Sequence, residues 1–194
     1  MILFLIRHGQ TTANLAGIYS GQSDVPLTDL GRSQAEAIRP ILEKYSFDQV
    51  YSSDLSRAVN TAKLAIPGCQ PIELPQLREI RIGSATGESI AKIRRDHGFL
   101  NSDFTRFGGE NMEMVDARAA EFLSILEKSP ACQVAAFTHN GFMKAVVRQV
   151  LKTPIDAAAL PNGNCNIAVF QYNGKKWTLP VWNLAGNIEK ETHL

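Results

Sequence analysis

The sequence predicts an α/β fold in three layers: a mostly parallel central sheet with helices on both faces and an antiparallel C-terminal edge. Short, continuous apolar runs alternate along the chain with segments of helical periodicity, a pattern typical of parallel strands joined by helical crossovers. Asn173 and Gly174 separate the last two strand-like runs, and this pair strongly favours a hairpin of antiparallel strands. The 194 residues suit a single domain.

In the N-terminal half, short apolar runs predict strands, and apolar residues spaced three or four positions apart predict helices. In chain order these elements are strand 2–6, helix 32–45, strand 47–51, a helix ending near residue 65 and the short strand 71–74. Pro40 should kink or split the first helix, since an interior proline costs ~3 kcal/mol. Ser53 and Asp54 are expected to cap the second helix.

The C-terminal half opens with an irregular, glycine-rich segment at 81–110, which contains one predicted helix near 89–96. A loop-rich stretch of this length is usually functional, and we predict a lid-like insertion. Regular elements then resume, and in order they are helix 112–128, strand 133–137, helix 141–151 and strands 165–172 and 176–181.

Composition excludes several classes of protein. The formal net charge of +1 gives no basic surplus for nucleic acid or for an anionic membrane surface. No apolar stretch reaches the ~18 residues that a membrane span requires, and the apolar start is too short for a signal peptide. The three cysteines match no zinc or redox spacing, so we expect a reducing, cytoplasmic setting. The oligomeric state stays open.

Unusual residues follow three of the predicted strands, at 7–9, 52–57 and 138–141. Because parallel strands end on the same edge of a sheet, where ligands bind, Arg7, His8, Arg57 and His139 are predicted to face one pocket. Two cations beside two imidazoles indicate an anion site that contains a nucleophile or a base. No metal-binding His-x-His or His-Glu-x-x-His, no phosphate-binding Gly-x-x-x-x-Gly-Lys-Ser/Thr and no Gly-x-Ser-x-Gly occurs.

Further residues fit an anion site, although each alone has an ordinary interpretation. Arg57 falls in the first helical turn, where a cation opposes the helix dipole by up to ~1 kcal/mol unless an anion is bound. The N–H groups at Asn140 and Gly141 begin a helix and can hold an anion. Asn14 offers a side-chain amide, but loop asparagines often only cap turns. Glu79 is a candidate acid, although most loop glutamates are merely solvated.

Taken together in order and spacing, six segments resemble the histidine phosphatase (phosphoglycerate-mutase-like) superfamily over nearly the whole chain. They are LIRHGQT at 5–11, PLTDLG at 26–31, YSSDLSRA at 51–58, LREI at 77–80, GGEN at 108–111 and THNG at 138–141. The chain departs from the family pattern at Gln10, where glutamate is frequent, and at Asn140, where a second glycine is common.

The resemblance implies a role for each candidate residue. His8 would be the nucleophile that forms a phosphohistidine, and Glu79 would donate a proton to the leaving group. The phosphoryl oxygens would be bound by Arg7, Asn14, Arg57, His139 and the backbone N–H of Asn140. Ser20 and Gly21 would border the substrate entrance. No metal or cofactor is implied, because the arginines supply the positive charge.

Three functions are compatible with these residues. The favoured one is a metal-independent phosphomonoesterase acting on a small soluble phosphate ester. The insertion at 81–110 is short and nearly balanced in charge, with five basic and four acidic residues, which favours access of water over binding of a doubly phosphorylated cofactor. A cofactor-dependent phosphoglycerate mutase is the second candidate, and a catalytically silent phosphate-binding module is the third.

Overall fold

The central strand of the fold, β1 (Ile2–Arg7), is buried on both faces in a computed structural model that describes residues 1–98, 103–153 and 160–184. Successive side chains of a strand point to opposite faces. Leu3 and Leu5 accordingly belong to one hydrophobic cluster, whereas Phe4 and Ile6 belong to another. The continuous apolar run in the sequence therefore supplies two separate cores.

Within the described residues, six strands form one sheet. The further strands are β2 (Gln49–Ser52), β3 (Ile72–Glu73), β4 (Gln133–Thr138), β5 (Ile167–Tyr172) and β6 (Trp177–Val181). Their order is β3-β2-β4-β1-β5-β6. The first four are parallel, and β5 and β6 run antiparallel along one side. The predicted mostly parallel sheet with an antiparallel C-terminal edge is confirmed.

Helices cover both faces of this sheet. They are α1 (Thr12–Ala16), α2 (Asp29–Ala37), α3 (Arg39–Leu42), α4 (Ser56–Ala65), α5 (Ile90–His97), α6 (Met112–Glu127) and α7 (Asn140–Leu151). Buried apolar residues of α2, α3 and α4, among them Ala35, Leu42 and Ala58, join the cluster of Phe4 and Ile6. Those of α5, α6 and α7 join the cluster of Leu3 and Leu5 on the opposite face. The three predicted layers are therefore present.

The helix predicted at 32–45 begins earlier and is divided in two. Thr28 caps α2, because its side-chain oxygen accepts a hydrogen bond from Gly31 N at 3.0 Å. The helix breaks at Ile38, and Pro40 lies in the first turn of α3, where a missing N–H is tolerated. The prediction that Pro40 kinks or splits the helix is confirmed.

The capping of α4 differs from the prediction. The N-cap position is Leu55, and no side-chain hydrogen bond caps this helix. Asp54 instead accepts two hydrogen bonds from the guanidinium of Arg78, at 2.7 and 2.5 Å. Ser53 Oγ accepts from the backbone N of Leu55 at 3.3 Å, one residue before the helix begins. Both side chains therefore shape the loop that precedes α4.

Candidate active site

Two strand ends bring the histidines together. β1 and β4 lie side by side in register, with Arg7 opposite Thr138, so His8 and His139 leave the sheet at the same edge. Their ring centroids are 5.1 Å apart. β2 ends beside β4 at this edge, and α4, which begins shortly afterwards, carries Arg57 in its first turn. The structure thus assembles Arg7, His8, Arg57 and His139 from three separate segments.

The tautomer of His8 is set by its own loop. Nδ1 lies 2.7 Å from the carbonyl oxygen of Gly9. A carbonyl only accepts hydrogen bonds, so Nδ1 carries the proton and Nε2 keeps a free lone pair. Burial lowers the pKa of His8 well below its ordinary value of 6.5, and the charges of Arg7 and Arg57 lower it further. The residue is therefore a neutral imidazole with an available nucleophilic nitrogen.

Both guanidiniums are held by backbone carbonyls. Arg57 is 1% exposed and donates from Nη1 to Ser23 O at 2.8 Å and from Nη2 to Gly21 O at 2.7 Å. Arg7 donates from Nη1 to the carbonyl of Asn162. In each case Nε is buried and finds no partner among the described residues. Burial lowers the pKa of both arginines, whereas the charge of Glu79 opposes the shift.

His139 is the most enclosed member of the group. It is 0% exposed and occupies the N-cap position of α7. Neither ring nitrogen has a hydrogen-bond partner in the part of the chain that the structure describes. Burial lowers its pKa well below 6.5, followed by the effects of Arg57, His8 and Arg7. A ring nitrogen of His139 is thus available to a ligand.

The unpartnered nitrogens of Arg7, Arg57 and His139 all lack a hydrogen-bond partner that a ligand could supply. A buried polar group without a partner costs about 1–3 kcal/mol, and native structures rarely leave such groups without a reason. The charges of Arg7 and Arg57 lower the pKa of His8, and the ring of His139 lies beside it, with the centroids 5.1 Å apart. An anion with several oxygens would accept hydrogen bonds from all of them. The arrangement is suited to a tetrahedral oxyanion in contact with His8 Nε2.

Glu79 approaches this group from a separate loop. It follows a short 3-10 helix at Pro75–Leu77 and is half-buried. Its Oε1 accepts from the backbone N–H groups of Ile80 and Gly141, each at 2.9 Å. Both backbone donors bind Oε1, which leaves Oε2 as the carboxylate oxygen that can exchange a proton. The contact with Gly141 joins this carboxylate to the first turn of α7.

The other residues predicted to contact the phosphate or to border the substrate entrance, Asn14, Ser20 and Gly21, lie around this group. Asn14 is exposed, and its Oδ1 accepts from Thr11 N at 3.1 Å as part of a capping box at the start of α1. The ordinary interpretation of this asparagine, a turn cap, is therefore realised in the structure. Gly21 provides a carbonyl to Arg57, and Ser20 is half-buried next to it. These residues border the group without supplying its charge.

A loop before β5 contributes residues that the sequence analysis missed. Asn162 accepts from Arg7 through its carbonyl and donates from Nδ2 to Asn140 Oδ1 at 3.0 Å. Asn164 donates from Nδ2 to His8 O at 3.1 Å. The only sequence signal was the recurrence of asparagine at alternate positions just before a strand. The side chain of Asn140, which departs from the family pattern, is thus held by this loop.

Other kinds of site are not found in the described residues. No group of three or more His, Cys, Asp or Glu side chains in that part of the chain is arranged to hold a metal ion. Within the same ranges, no helix is both long enough and apolar enough to cross a membrane.

Fold and site define a phosphate-handling protein, and comparison with known proteins gives its family. The model of the histidine phosphatase superfamily (branch 1) matches residues 3–185, so the chain belongs to that superfamily. The resemblance found in the sequence is confirmed. The predicted enzyme class, a phosphatase of the histidine phosphatase type, is also confirmed, because the relatives described next are named phosphatases.

Three relatives illustrate the family. An adenosylcobalamin/alpha-ribazole phosphatase of Salmonella typhimurium is 30% identical over 79% of this chain and 81% of that protein. A metal-independent phosphoserine phosphatase of Arabidopsis thaliana is 30% identical over 93% of this chain and 80% of that protein. The structure of a mycobacterial glucosyl-3-phosphoglycerate phosphatase with VO3 aligns with a TM-score of 0.83 at 31% identity, covering 94% and 98% of the two chains.

Proposed function

We propose that this protein hydrolyses a small soluble phosphate monoester through a phosphohistidine on His8, without a metal ion. One observation carries the proposal. The free Nε2 of His8 lies in a buried group in which the donors at Nε of Arg7, at Nε of Arg57 and on the ring of His139 lack partners among the described residues. The phosphoryl group of an ester supplies both the electrophile for this nitrogen and the acceptors for those donors.

The first step transfers the phosphoryl group to the protein. The Nε2 lone pair attacks phosphorus, the P–N bond forms, and the bond from phosphorus to the ester oxygen breaks. A proton from Oε2 of Glu79 passes to the departing alkoxide. Negative charge on the transferred oxygens is stabilised by the guanidiniums of Arg7 and Arg57, whose fork of donors matches phosphate geometry.

The second step returns the histidine to its starting state. Glu79, now a carboxylate, takes a proton from water as the water oxygen attacks phosphorus. The P–N bond breaks, inorganic phosphate leaves, and Nε2 of His8 regains its lone pair. Because the arginines supply fixed positive charge, the reaction as proposed needs no metal ion.

The substrate class follows from the relatives and the surroundings of the site. The named phosphatases act on small phosphate esters, and we extend that class to this chain. Residues 99–102 of the proposed lid at 81–110 lie outside the described part of the chain. Glu88 of this segment contacts the loop that leads to Ser20 and Gly21, since Tyr19 N donates to Glu88 O at 2.9 Å. We retain a cytoplasmic location as part of the proposal, supported by the three free cysteines.

The test combines turnover with identification of the labelled residue. The wild-type protein, incubated with para-nitrophenyl phosphate and excess chelator, should release nitrophenol, and His8→Ala should abolish release. Rapid quenching with radiolabelled substrate should place an acid-labile label on His8. His97→Ala, which alters an exposed histidine of α5, should label like wild type.

Other outcomes point to the other candidates. No turnover by the wild-type protein across a panel of sugar phosphates, phosphoserine and nucleotides would indicate a silent phosphate-binding module. Transfer of the label from a bisphosphoglycerate to monophosphoglycerate, in preference to water, would indicate a mutase. Label on a residue other than His8 would overturn the proposed mechanism.

A further inference from the structure

Arg118 of α6 holds the segment that carries Glu79. Its Nη1 donates to the carbonyls of Gln76 and Arg78, at 2.6 and 2.9 Å. Its Nη2 lies 3.4 Å from the carbonyl oxygen of Glu79. One guanidinium therefore spans three backbone carbonyls within four residues, and it does so from a helix that is distant in sequence.

Glu110 completes this arrangement. Its Oε2 lies 3.0 Å from Arg118 Nη2, and its Oε1 accepts from Nε at 3.2 Å. The side chains are 19% and 13% exposed, so the ion pair is largely removed from solvent. Oε2 of Glu110 also accepts from the backbone N of Arg81 at 2.8 Å. The pair consequently holds the chain on both sides of Glu79.

Further contacts restrict where the guanidinium can lie. Arg118 packs over the ring of Phe142 on α7, 5.8 Å from the ring centroid. The preceding residue of α7, Gly141, donates its N–H to Oε1 of Glu79. Arg118 is thus located by the same helix that orients the carboxylate, although it contacts neither His8 nor the carboxylate itself.

We propose that Arg118, oriented by Glu110, is a positioning residue for proton transfer by Glu79. The inference rests on the proposed function, in which Glu79 protonates the leaving group. A planar fork of donors can bind several carbonyls and a carboxylate at once, whereas a lysine ammonium is a single point charge. Loss of this fork should let the Glu79 segment move, and displacement of a catalytic group by about 1 Å can cost about 100-fold in rate.

The experiment compares substrates that differ in their need for an acid. An alkyl phosphate such as phosphoserine has a leaving group that must be protonated, whereas the nitrophenolate of para-nitrophenyl phosphate leaves readily without a proton. Arg118→Gln should lower kcat/KM for the alkyl ester about 10- to 100-fold more than for the aryl ester. Glu110→Gln, which preserves shape, should show the same selectivity and serves if Arg118→Gln does not fold.

A second ion pair, between α6 and α7, provides a matched control. Arg148 forms an ion pair with Asp116 at 3.0 Å, with side chains 27% and 15% exposed. Among the described residues, no hydrogen bond or ion pair joins it to the Glu79 segment. Arg148→Gln should affect both substrates equally. If Arg118→Gln or Glu110→Gln also affects both equally, or neither, the positioning role is wrong.

The variant Glu79→Gln separates this inference from the proposed function. It should be selectively slow with the alkyl ester. If it is not, Glu79 is not the proton donor, and the proposed mechanism fails at that step. If it is selective while the variants of Arg118 and Glu110 are not, the mechanism survives and only the positioning role is refuted.

Discussion

At the scale of single residues, one hydrogen bond prepares His8 for the attack that we propose. The carbonyl of Gly9 fixes the proton of His8 on Nδ1 and leaves Nε2 free. Burial and two neighbouring guanidiniums lower the pKa of this imidazole, so it stays neutral under mildly acidic conditions in which an exposed histidine would be protonated. In the proposed reaction the nearby cations thus serve two purposes, since they attract the phosphate and keep the attacking nitrogen unprotonated.

A prediction at this scale concerns Gly141. A Cβ at this position would lie 2.3 Å from Oε1 of Glu79. Because that oxygen ends a flexible side chain, Gly141→Ala should displace the carboxylate without unfolding the protein. We expect kcat/KM for an alkyl phosphate to fall about 10- to 100-fold, because a displaced acid loses less than the about 100- to 10,000-fold that a general acid contributes. The free energy of unfolding should change by no more than about 1 kcal/mol.

Gly163→Ala is the matched control for this substitution. Its added Cβ would meet nothing within 4 Å, and the residue lies in the asparagine-containing loop close to the same group. Activity should remain within about twofold of wild type, as for other substitutions that disturb no contact. Unchanged alkyl phosphatase activity in Gly141→Ala would show that the position of the Glu79 carboxylate is not needed.

At the scale of elements, the loop after β1 is held against the start of α2 by backbone contact. A Cβ at Gly9 would lie 2.3 Å from Gly31 O, and one at Gly31 would lie 2.0 Å from Gln10 O. The absence of a side chain at Gly9 therefore permits close approach of the backbone to α2. Two glycines thus let a helix support the loop that carries His8.

Gly31→Ala should therefore reduce both stability and activity. Alanine favours a helix over glycine by up to about 1 kcal/mol, but the clash is with backbone atoms that cannot rotate away. Overpacking of this kind costs about 1–3 kcal/mol, so we expect a net loss in the free energy of unfolding, measured by urea denaturation. Leu30→Ala, at an exposed position of the same helix, should have little effect. If Gly31→Ala is more stable than the wild-type protein, the backbone atoms at this contact move apart at little cost in free energy, contrary to the prediction.

At the scale of the whole molecule, two buried histidines couple folding to pH. The pKa of His8 and that of His139 both lie well below 6.5 in the folded state. Below pH 6.5 the unfolded chain therefore binds protons that the folded chain does not. Stability is fully present above that pH and is lost as the pH falls toward the folded-state pKa values.

We accordingly predict that the free energy of unfolding falls as the pH is lowered from 6.5. The slope should reach up to about 1.4 kcal/mol per pH unit for each histidine, and denaturation at a series of pH values will measure it. A double variant, His8→Asn with His139→Asn, should flatten this slope. A wild-type protein with no loss of stability between pH about 6.5 and about 5 would contradict the buried, neutral state of both rings.

The sequence by itself determined the layers, the order of most elements and the edge at which the histidines meet. These features depend on local periodicity, on turn residues and on a general rule for parallel strands, all of which can be read along the chain. The positions of Arg7, His8, Arg57 and His139 could be anticipated for the same reason, whereas the role expected for Glu79 came from the resemblance to the family.

Only the tertiary structure decided which partners hold those side chains. Asp54 was expected to cap α4, but the competing interaction with Arg78 prevails. Asn162 contacts Arg7, and Arg118 contacts the backbone of the Glu79 segment, from parts of the chain that no local pattern connects to the site. Such contacts depend on how distant segments pack in three dimensions, because a hydrogen bond requires its two atoms to lie within about 3 Å of each other.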